Sequence, residues 1–504
     1  MQKASRLKPL PTGYGDSFAG SALGYRSARR DAAENQIKFV SRSLLIKRMF
    51  VMLSLLLAAS CAWSNESPPA AQASTPVDAA ASAQLAGEVK AEFLHAWKDY
   101  RKYAWGHDDL APLSHKPHDW YAKPLLMTPV DALDTLVLMG LTDEADAVRE
   151  LIATRLDFDQ DIYVKNFEIT IRLLGGLLSG YQLTGDERLL AKAEDLGKRL
   201  LPVFDSPTGL PWVEINLRTG KTRNPKTNPA ETGTLLLEFG TLSKLTGNPV
   251  YYTKTKRALV ETFKRRSPIG LVGSEIDVES GRWLDTDSHI SGGIDSYYEY
   301  LWKCWRLFGD VDCLAMWKSG ISAVNAHLAD EVDGALWYGA ADMRTGKRTQ
   351  TTYGALDAFF PALLALSGDT RRAARLQASS FRMWRIHGIE PEVYDYRSGA
   401  IPYPGYALRP EIVESTYTLS HFTHDPAYLA MGRTLFRDFV AHCRNDVGYA
   451  ALQNVITKEK KDRMESFVLA ETFKYFYLLF NPAALDFEAV TFNTEAHPLR
   501  ANWK

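Results

Sequence analysis

The chain has 504 residues, 46% of them hydrophobic, and 59 Lys and Arg against 60 Asp and Glu give a formal net charge of -1. That balance argues against nucleic acid or an anionic membrane surface as the main partner. Four cysteines with no paired CxxC argue against a disulfide framework and a structural zinc site.

Near the N-terminus, Lys47-Arg48 precedes an apolar run from Met49 to Trp63, then a Ser-, Pro- and Ala-rich stretch to about Ala83. A basic flank, a short apolar core and small residues before a polar linker read as a signal peptide of an exported protein, periplasmic or secreted. The run is short for a membrane span, so no transmembrane segment is expected in the mature protein. Cys61, after Ala58-Ala59-Ser60, is placed for lipid attachment as an alternative to ordinary cleavage. Residues 1–83 are therefore read as leader and linker, and residues 84–504 as one domain.

That domain opens with helical segments around Gln84–Ala104 and Val130–Leu151. A turn then recurs five times: LTGDERLL at Leu183–Leu190, LTGNPVYY at Leu245–Tyr252, LFGDVDCL at Leu307–Leu314, LSGDTRRA at Leu366–Ala373 and FTHDPAYL at Phe422–Leu429. The pivots Gly185, Gly247, Gly309, Gly368 and His424 are separated by 62, 62, 59 and 56 residues, a period that signals a repeat architecture. Glycine past a helix closes its last turn in the left-handed conformation. The Asp or Asn that follows caps the next helix.

The helix before each turn is broadly apolar, as in Leu173, Leu174, Leu177 and Leu178. The helix after it is amphipathic, with Leu189, Ala193, Leu196 and Leu200 set among Lys192, Glu194 and Arg199. A helix buried all round beside one with a wet face predicts two concentric rings. With a last helix near Glu465–Phe480, about seven pairs close an all-α (α/α) barrel, and the rival is an open helical solenoid. Cys304 and Cys313 read as two buried free thiols, with a bridge across the turn as the alternative. Between pairs lie long loops at Pro202–Pro229, Ser267–Gly292, Asp330–Thr352 and Ile386–Leu408. They carry short β-prone runs such as Trp212–Arg223, and they gather at one end of the barrel, where long loops carry function.

Acidic residues stand where the inner helices begin. Glu168, Glu231, Asp295 and Glu411 lie 17, 16, 14 and 13 residues before their pivots. One such residue is an ordinary helix-dipole choice; four converging on one mouth suit glycoside hydrolysis. There one carboxyl gives a proton to the leaving oxygen while another activates water. A hard cation bound by oxygens would neutralise the ring and grip sugar hydroxyls.

Seven ordered stretches between about Phe93 and Pro498 resemble glycoside hydrolase family 47, the class I α-1,2-mannosidases. They are KYAWGHDDLAPLS at Lys102–Ser114, VDALDTLVLMGL at Val130–Leu141, FEITIRLLGGLLSGY at Phe167–Tyr181, DSYYEYLWK at Asp295–Lys303, LRPEIVEST at Leu408–Thr416, MESFVLAETFKY at Met464–Tyr475 and FNTEAHP at Phe492–Pro498. TGTLLLEFGTLSKLTG at Thr232–Gly247 and GGIDSYYEY at Gly292–Tyr300 are more similar to the endoplasmic-reticulum degradation-enhancing mannosidase-like branch than to the processing enzymes. The latter usually carry Arg where this chain has Gly293.

The resemblance implies an (αα)7 barrel with short β-hairpins in its loops. It implies an exo-acting, inverting, calcium-dependent mannosidase acting on high-mannose oligosaccharides or glycoproteins. A glycan-binding lectin of the same fold is the alternative. Glu168 is then the expected general acid, Glu411 the general base, and Asp295 a third carboxylate that shares the acid role. Thr494 is the expected Ca2+ ligand. Arg172, Glu231, Arg409, Glu414, Phe467, Glu471 and Glu495 are expected around the sugar or the ion's waters, with Phe467 as an apolar platform. Asp131 and Asp134 read as helix braces, Glu299 as a brace for Asp295, and His497 as either a packed core histidine or a shaper of the calcium loop.

Overall fold

The computed structural model describes residues 77–502. The leader, signal-peptide and Cys61 readings lie outside the described residues. Among those described, no helix is long and apolar enough to cross a membrane.

Among the described residues, fourteen helices build two rings. The inner ring is α2 (Met127–Leu138), α4 (166–184), α6 (229–246), α8 (Asp295–Phe308), α10 (356–366), α12 (Glu411–Thr423) and α14 (468–480). The outer ring is α1 (Ala79–Tyr103), α3 (Thr142–Arg155), α5 (Glu187–Leu200), α7 (Pro249–Lys264), α9 (Val311–His327), α11 (Thr370–His387) and α13 (Pro426–Cys443). Each inner helix packs on the outer helix that follows it. The seventh pair is made across the chain ends: α14 packs on α1, and α14 also touches α2, closing the ring. Closure rules out the open solenoid. It also removes the unpaired terminal faces that a solenoid must cap.

The turn chemistry explains the pairing. Gly185, Gly247, Gly309 and Gly368 have φ of 72°, 71°, 68° and 96°, and His424 has φ 54°. The side chains of Asp186, Asn248, Asp310, Asp369 and Asp425 each accept a hydrogen bond from a backbone N–H in the first turn of the next helix. The segment around Val130–Leu151 holds two helices, parted at Gly140 with φ 65°. The first helix starts at Ala79, ahead of the periodic stretch, because Asp78 caps it by accepting from Ala81 N. Contrary to the free-thiol expectation, Cys304 and Cys313 form a disulfide with Cα atoms 6.0 Å apart. The tight αα-turn brings the end of α8 beside the start of α9, within ordinary bridging distance.

Inner helices are apolar because both faces are covered. Leu173, Leu174, Leu177 and Leu178 have no exposed surface, each such burial contributing about 1.5–3 kcal/mol. All loops from an outer to the next inner helix lie at one end. Three antiparallel three-stranded sheets bind them together. The first joins Tyr163–Lys165, Glu214–Asn216 and Thr222–Arg223. The second joins Lys226–Thr227, Glu275–Asp277 and Trp283–Asp285. The third joins Asp287–Ser288, Ala340–Asp342 and Arg348–Gln350.

The tail enters from the other end. Because α14 finishes among the short turns, the chain after Phe480 returns as a hairpin, Thr491–Phe492 paired with Pro498–Leu499. This hairpin plugs the barrel. Asn493 Nδ2 donates to Ile171 O on α4 and Glu238 Oε1 on α6, both at 2.8 Å. Tyr300 OH on α8 accepts from Thr494 N at 3.3 Å. His497 Nδ1 lies 2.7 Å from Asp134 on α2.

Candidate active site

The loop end opens into a cavity of about 300 Å³ that runs down the barrel axis to the tip of this hairpin. Every residue expected at the site lines it: Glu168, Asp295, Glu411, Arg172, Glu231, Arg409, Glu414, Phe467, Glu471, Thr494 and Glu495. Asp295 and Glu411 are the first residues of α8 and α12. Glu168 and Glu231 lie in the opening turns of α4 and α6. Thus the inner helices aim their N-termini, and the partial positive charge there, at the same space.

Two inner helices are locally wound as π turns, Thr170–Leu174 in α4 and Val468–Thr472 in α14. Each carries a cavity residue, Arg172 and Glu471. A π turn widens the helix by one residue and is frequent at functional sites. Leu408, at φ 64°, precedes Arg409 and Glu411, and Ala496, at φ 58°, follows Thr494 and Glu495. Thr472 Oγ1 donates to Leu408 O at 2.8 Å, and Lys474 Nζ donates to Ala496 O at 2.6 Å. Strained backbone held by such contacts is a mark of functional sites.

The cations are engaged by the acids. Arg172 Nε donates to Glu168 at 3.2 Å and its Nη1 to Glu495 at 2.5 Å, with Asp131 3.7 Å away. Arg409 makes a forked pair with Glu392, at 3.1 and 2.9 Å. Between the guanidiniums lies Phe467, whose ring centroid is 5.7 Å from the Arg172 carbon and 5.8 Å from that of Arg409. The ring is thereby fixed as an apolar wall with one edge in the cavity. Below, Asp131 and Asp134 brace the hairpin plug rather than face the cavity. Lys474 is 2.7 Å from Asp134, and His497 lies between the two aspartates with no exposed surface. Glu299 faces the cavity and pairs with buried Lys303.

Acid groups outnumber their partners. Glu168, Glu231, Asp295, Glu299, Glu411, Glu414, Glu471 and Glu495 line one space against the guanidiniums of Arg172 and Arg409 deep within it. Burial, the largest cause in each case, raises Glu231, Asp295, Glu414 and Glu495 to about 7 and Glu411 to about 8. It also carries Glu471 well above the carboxylate range, with Glu495 and Glu411 adding to the rise. Glu411 Oε2 is buried with no hydrogen-bond partner. An oxygen-rich, acid-heavy site of this kind suits a hard divalent cation.

The composition and spacing of the sequence did not reveal Glu392, the partner of Arg409, nor Lys303, the partner of Glu299. Lys303 is signalled by its i, i+4 spacing from Glu299. Glu392 pairs across a loop, which no local pattern reports.

The residues from 92 to 501 match the family model "Glycosyl hydrolase family 47". The chain is 36% identical over 448 residues to alpha-mannosidase I MNS5 of Arabidopsis thaliana, covering 83% of this chain and 77% of the relative. It is 36% identical to ER degradation-enhancing alpha-mannosidase-like protein 2 of Mus musculus, covering 82% and 77%. Among solved structures it resembles the alpha-1,2-mannosidase from Trichoderma reesei with a TM-score of 0.77 and 27% identity, covering 83% of this chain and 99% of that one.

Proposed function

The chain belongs to glycosyl hydrolase family 47, and from that premise we propose that it is an exo-acting, inverting α-1,2-mannosidase that trims terminal mannose from high-mannose glycans with calcium bound. The observation that carries the reading is the convergence of Glu168, Asp295 and Glu411 on one cavity above Thr494.

In this reading Glu411 takes a proton from water as the water attacks the anomeric carbon. A carboxylic acid on the other side protonates the departing glycosidic oxygen. Glu168 and Asp295 share that second role. Burial raises Asp295 to about 7, so Asp295 carries a proton to give up to about neutrality. Phe467 packs against the apolar face of the sugar ring.

Thr494, at the hairpin tip, would hold calcium through its hydroxyl and carbonyl oxygens, and Glu231, Glu414, Glu471 and Glu495 would orient the ion's waters. When bound, the ion supplies a hard positive charge that binds sugar hydroxyls and offsets the acid surplus. That offset draws Glu411 down from about 8 toward the ionised state a base requires. The basic pair and apolar run at 47–63 support export, with Cys61 as the residue a lipid anchor would use.

The test is mannose release from a high-mannose oligosaccharide, with calcium and with a chelator. Release in calcium that stops on chelation is expected. Retained glycan binding with no release in calcium would instead make the protein a lectin.

A further inference from the structure

The stretch Lys102–Ser114 has no role in this scheme, and none of its residues lines the cavity. Its acids converge instead on one tryptophan. Asp109–Ala111 and Lys116–His118 pair as an antiparallel hairpin ahead of α2, and Trp120 follows the second strand. Asp108, with no exposed surface, accepts from Trp120 N at 3.0 Å and from Leu125 N at 2.7 Å. Asp119 accepts from Asp108 N at 3.0 Å. Buried Asp109 accepts from the indole Nε1 of Trp120. Asp109 is itself held 3.5 Å from His118 and 3.5 Å from Arg463, and Arg463 forks onto Glu465 at 2.9 and 2.8 Å. Trp120, partly buried, is thus tied at its backbone and at its indole edge. The guanidinium carbon of Arg172 lies over this ring, 5.3 Å from its centroid.

We propose that Trp120 is a positioning residue for Arg172: its indole, tethered by Asp109, presents a π face that holds the guanidinium where Nε reaches Glu168 and Nη1 reaches Glu495. The inference rests on the reading of Glu168 as a carboxyl on the leaving-group side of the reaction.

Three features carry it. First, the donors of a guanidinium lie in its plane, and here they go to Glu168 at 3.2 Å and Glu495 at 2.5 Å. Its faces have no donors, and Arg172 is only 3% exposed, so little water covers them. An aromatic face supplies attraction where no carboxylate can, and more strongly when water is excluded. Second, four carboxylates act on Arg172: Glu495, Glu168, Asp131 and Glu471. Charge alone does not decide which of them it meets, whereas a fixed ring restricts the side chain to one orientation. Third, the tether spans neighbouring staves of the barrel. Asp109 precedes α2, Arg463 and Glu465 precede α14, and Arg172 is on α4, so the ring is anchored to elements other than the one it restrains.

The experiment places progressively fluorinated tryptophans at position 120 of the full chain and measures kcat and KM for mannose release at saturating calcium. Fluorine keeps the shape and the indole N–H but weakens the attraction of the π face for a cation. The kcat should fall stepwise along the series, by on the order of fivefold in total, with KM held within about twofold. A kcat that is flat across the series overturns the proposal. So does a KM that rises while kcat holds, which would make Trp120 a sugar-binding ring. Trp120→Leu, which has no π face, should lose on the order of tenfold in kcat, and Trp120→Phe, which keeps a face but no N–H, should recover most of that loss. Trp120→Phe as slow as Trp120→Leu, at equal melting temperature, overturns the ring-face role in favour of the bond to Asp109. The fluorinated series preserves the native shape, so it decides the matter even if Trp120→Leu does not fold. No release from the calcium-loaded wild type overturns the proposed activity and this inference together. Release with a flat fluorine series overturns this inference alone.

Discussion

Each site residue owes its chemistry to burial and to which partner reaches it. Glu411→Gln keeps shape and hydrogen bonding but cannot take a proton, so turnover should fall by a factor on the order of 10³ or more while glycan binding and melting temperature stay close to wild type. Near-normal turnover would remove Glu411 from the base role. His497 gives a pH prediction. Burial alone would lower its pKa, but the Asp134 charge and the bonds to Asp131 and Asp134 outweigh that and lift it from 6.5 to about 9. A raised folded-state pKa stabilises fully below the unfolded value and ceases to do so as pH climbs through the folded value. The stability lost on His497→Gln should therefore be largest below pH 6.5 and shrink toward pH 9; a difference in melting temperature that is flat with pH would contradict this. Thr494, by contrast, was legible only through the FNTEAHP resemblance, because a threonine near a C-terminus carries no chemical signal by itself.

The elements were legible where turn chemistry is local. LTGD-type turns announce a left-handed closing residue and an N-cap together, and all five behave so. Asp425→Ala, which removes the side-chain acceptor for Ala427 N, should cost about 1 kcal/mol, read as a small fall in melting temperature with activity unchanged. An equal fall in Asp486→Ala, a cap outside the barrel hairpins, would deny the turn its particular part. Reduction of the Cys304–Cys313 bridge, which closes a short loop, should cost about 2–3 kcal/mol. A Cys304→Ser, Cys313→Ser protein as stable as wild type would count against that. The π turns in α4 and α14 were not legible. They depend on one helix being fitted against its neighbours in the ring, and the helical period survives on either side.

For the whole molecule, the period of 56–62 residues was enough to predict rings, while closure depended on α14 meeting α1 from the far end of the chain. Long-range pairing of that kind leaves no trace in periodicity. Closure and the hairpin plug make the cavity one-ended, and the burial of its carboxyls is why so many of them share it at raised pKa values. A cation that binds only the folded barrel should stabilise it by mass action. Calcium should raise the melting temperature, a chelator should lower it, and Thr494→Ala should blunt the response; an unchanged calcium response in Thr494→Ala would remove that residue from the ion's site. The account as a whole is tested most directly by proton NMR of the first mannose released from a defined α-1,2-linked oligosaccharide. It predicts that the β-anomer appears first, in calcium and not in chelator. Initial release of the α-anomer, or no release from folded, calcium-loaded protein, would contradict it.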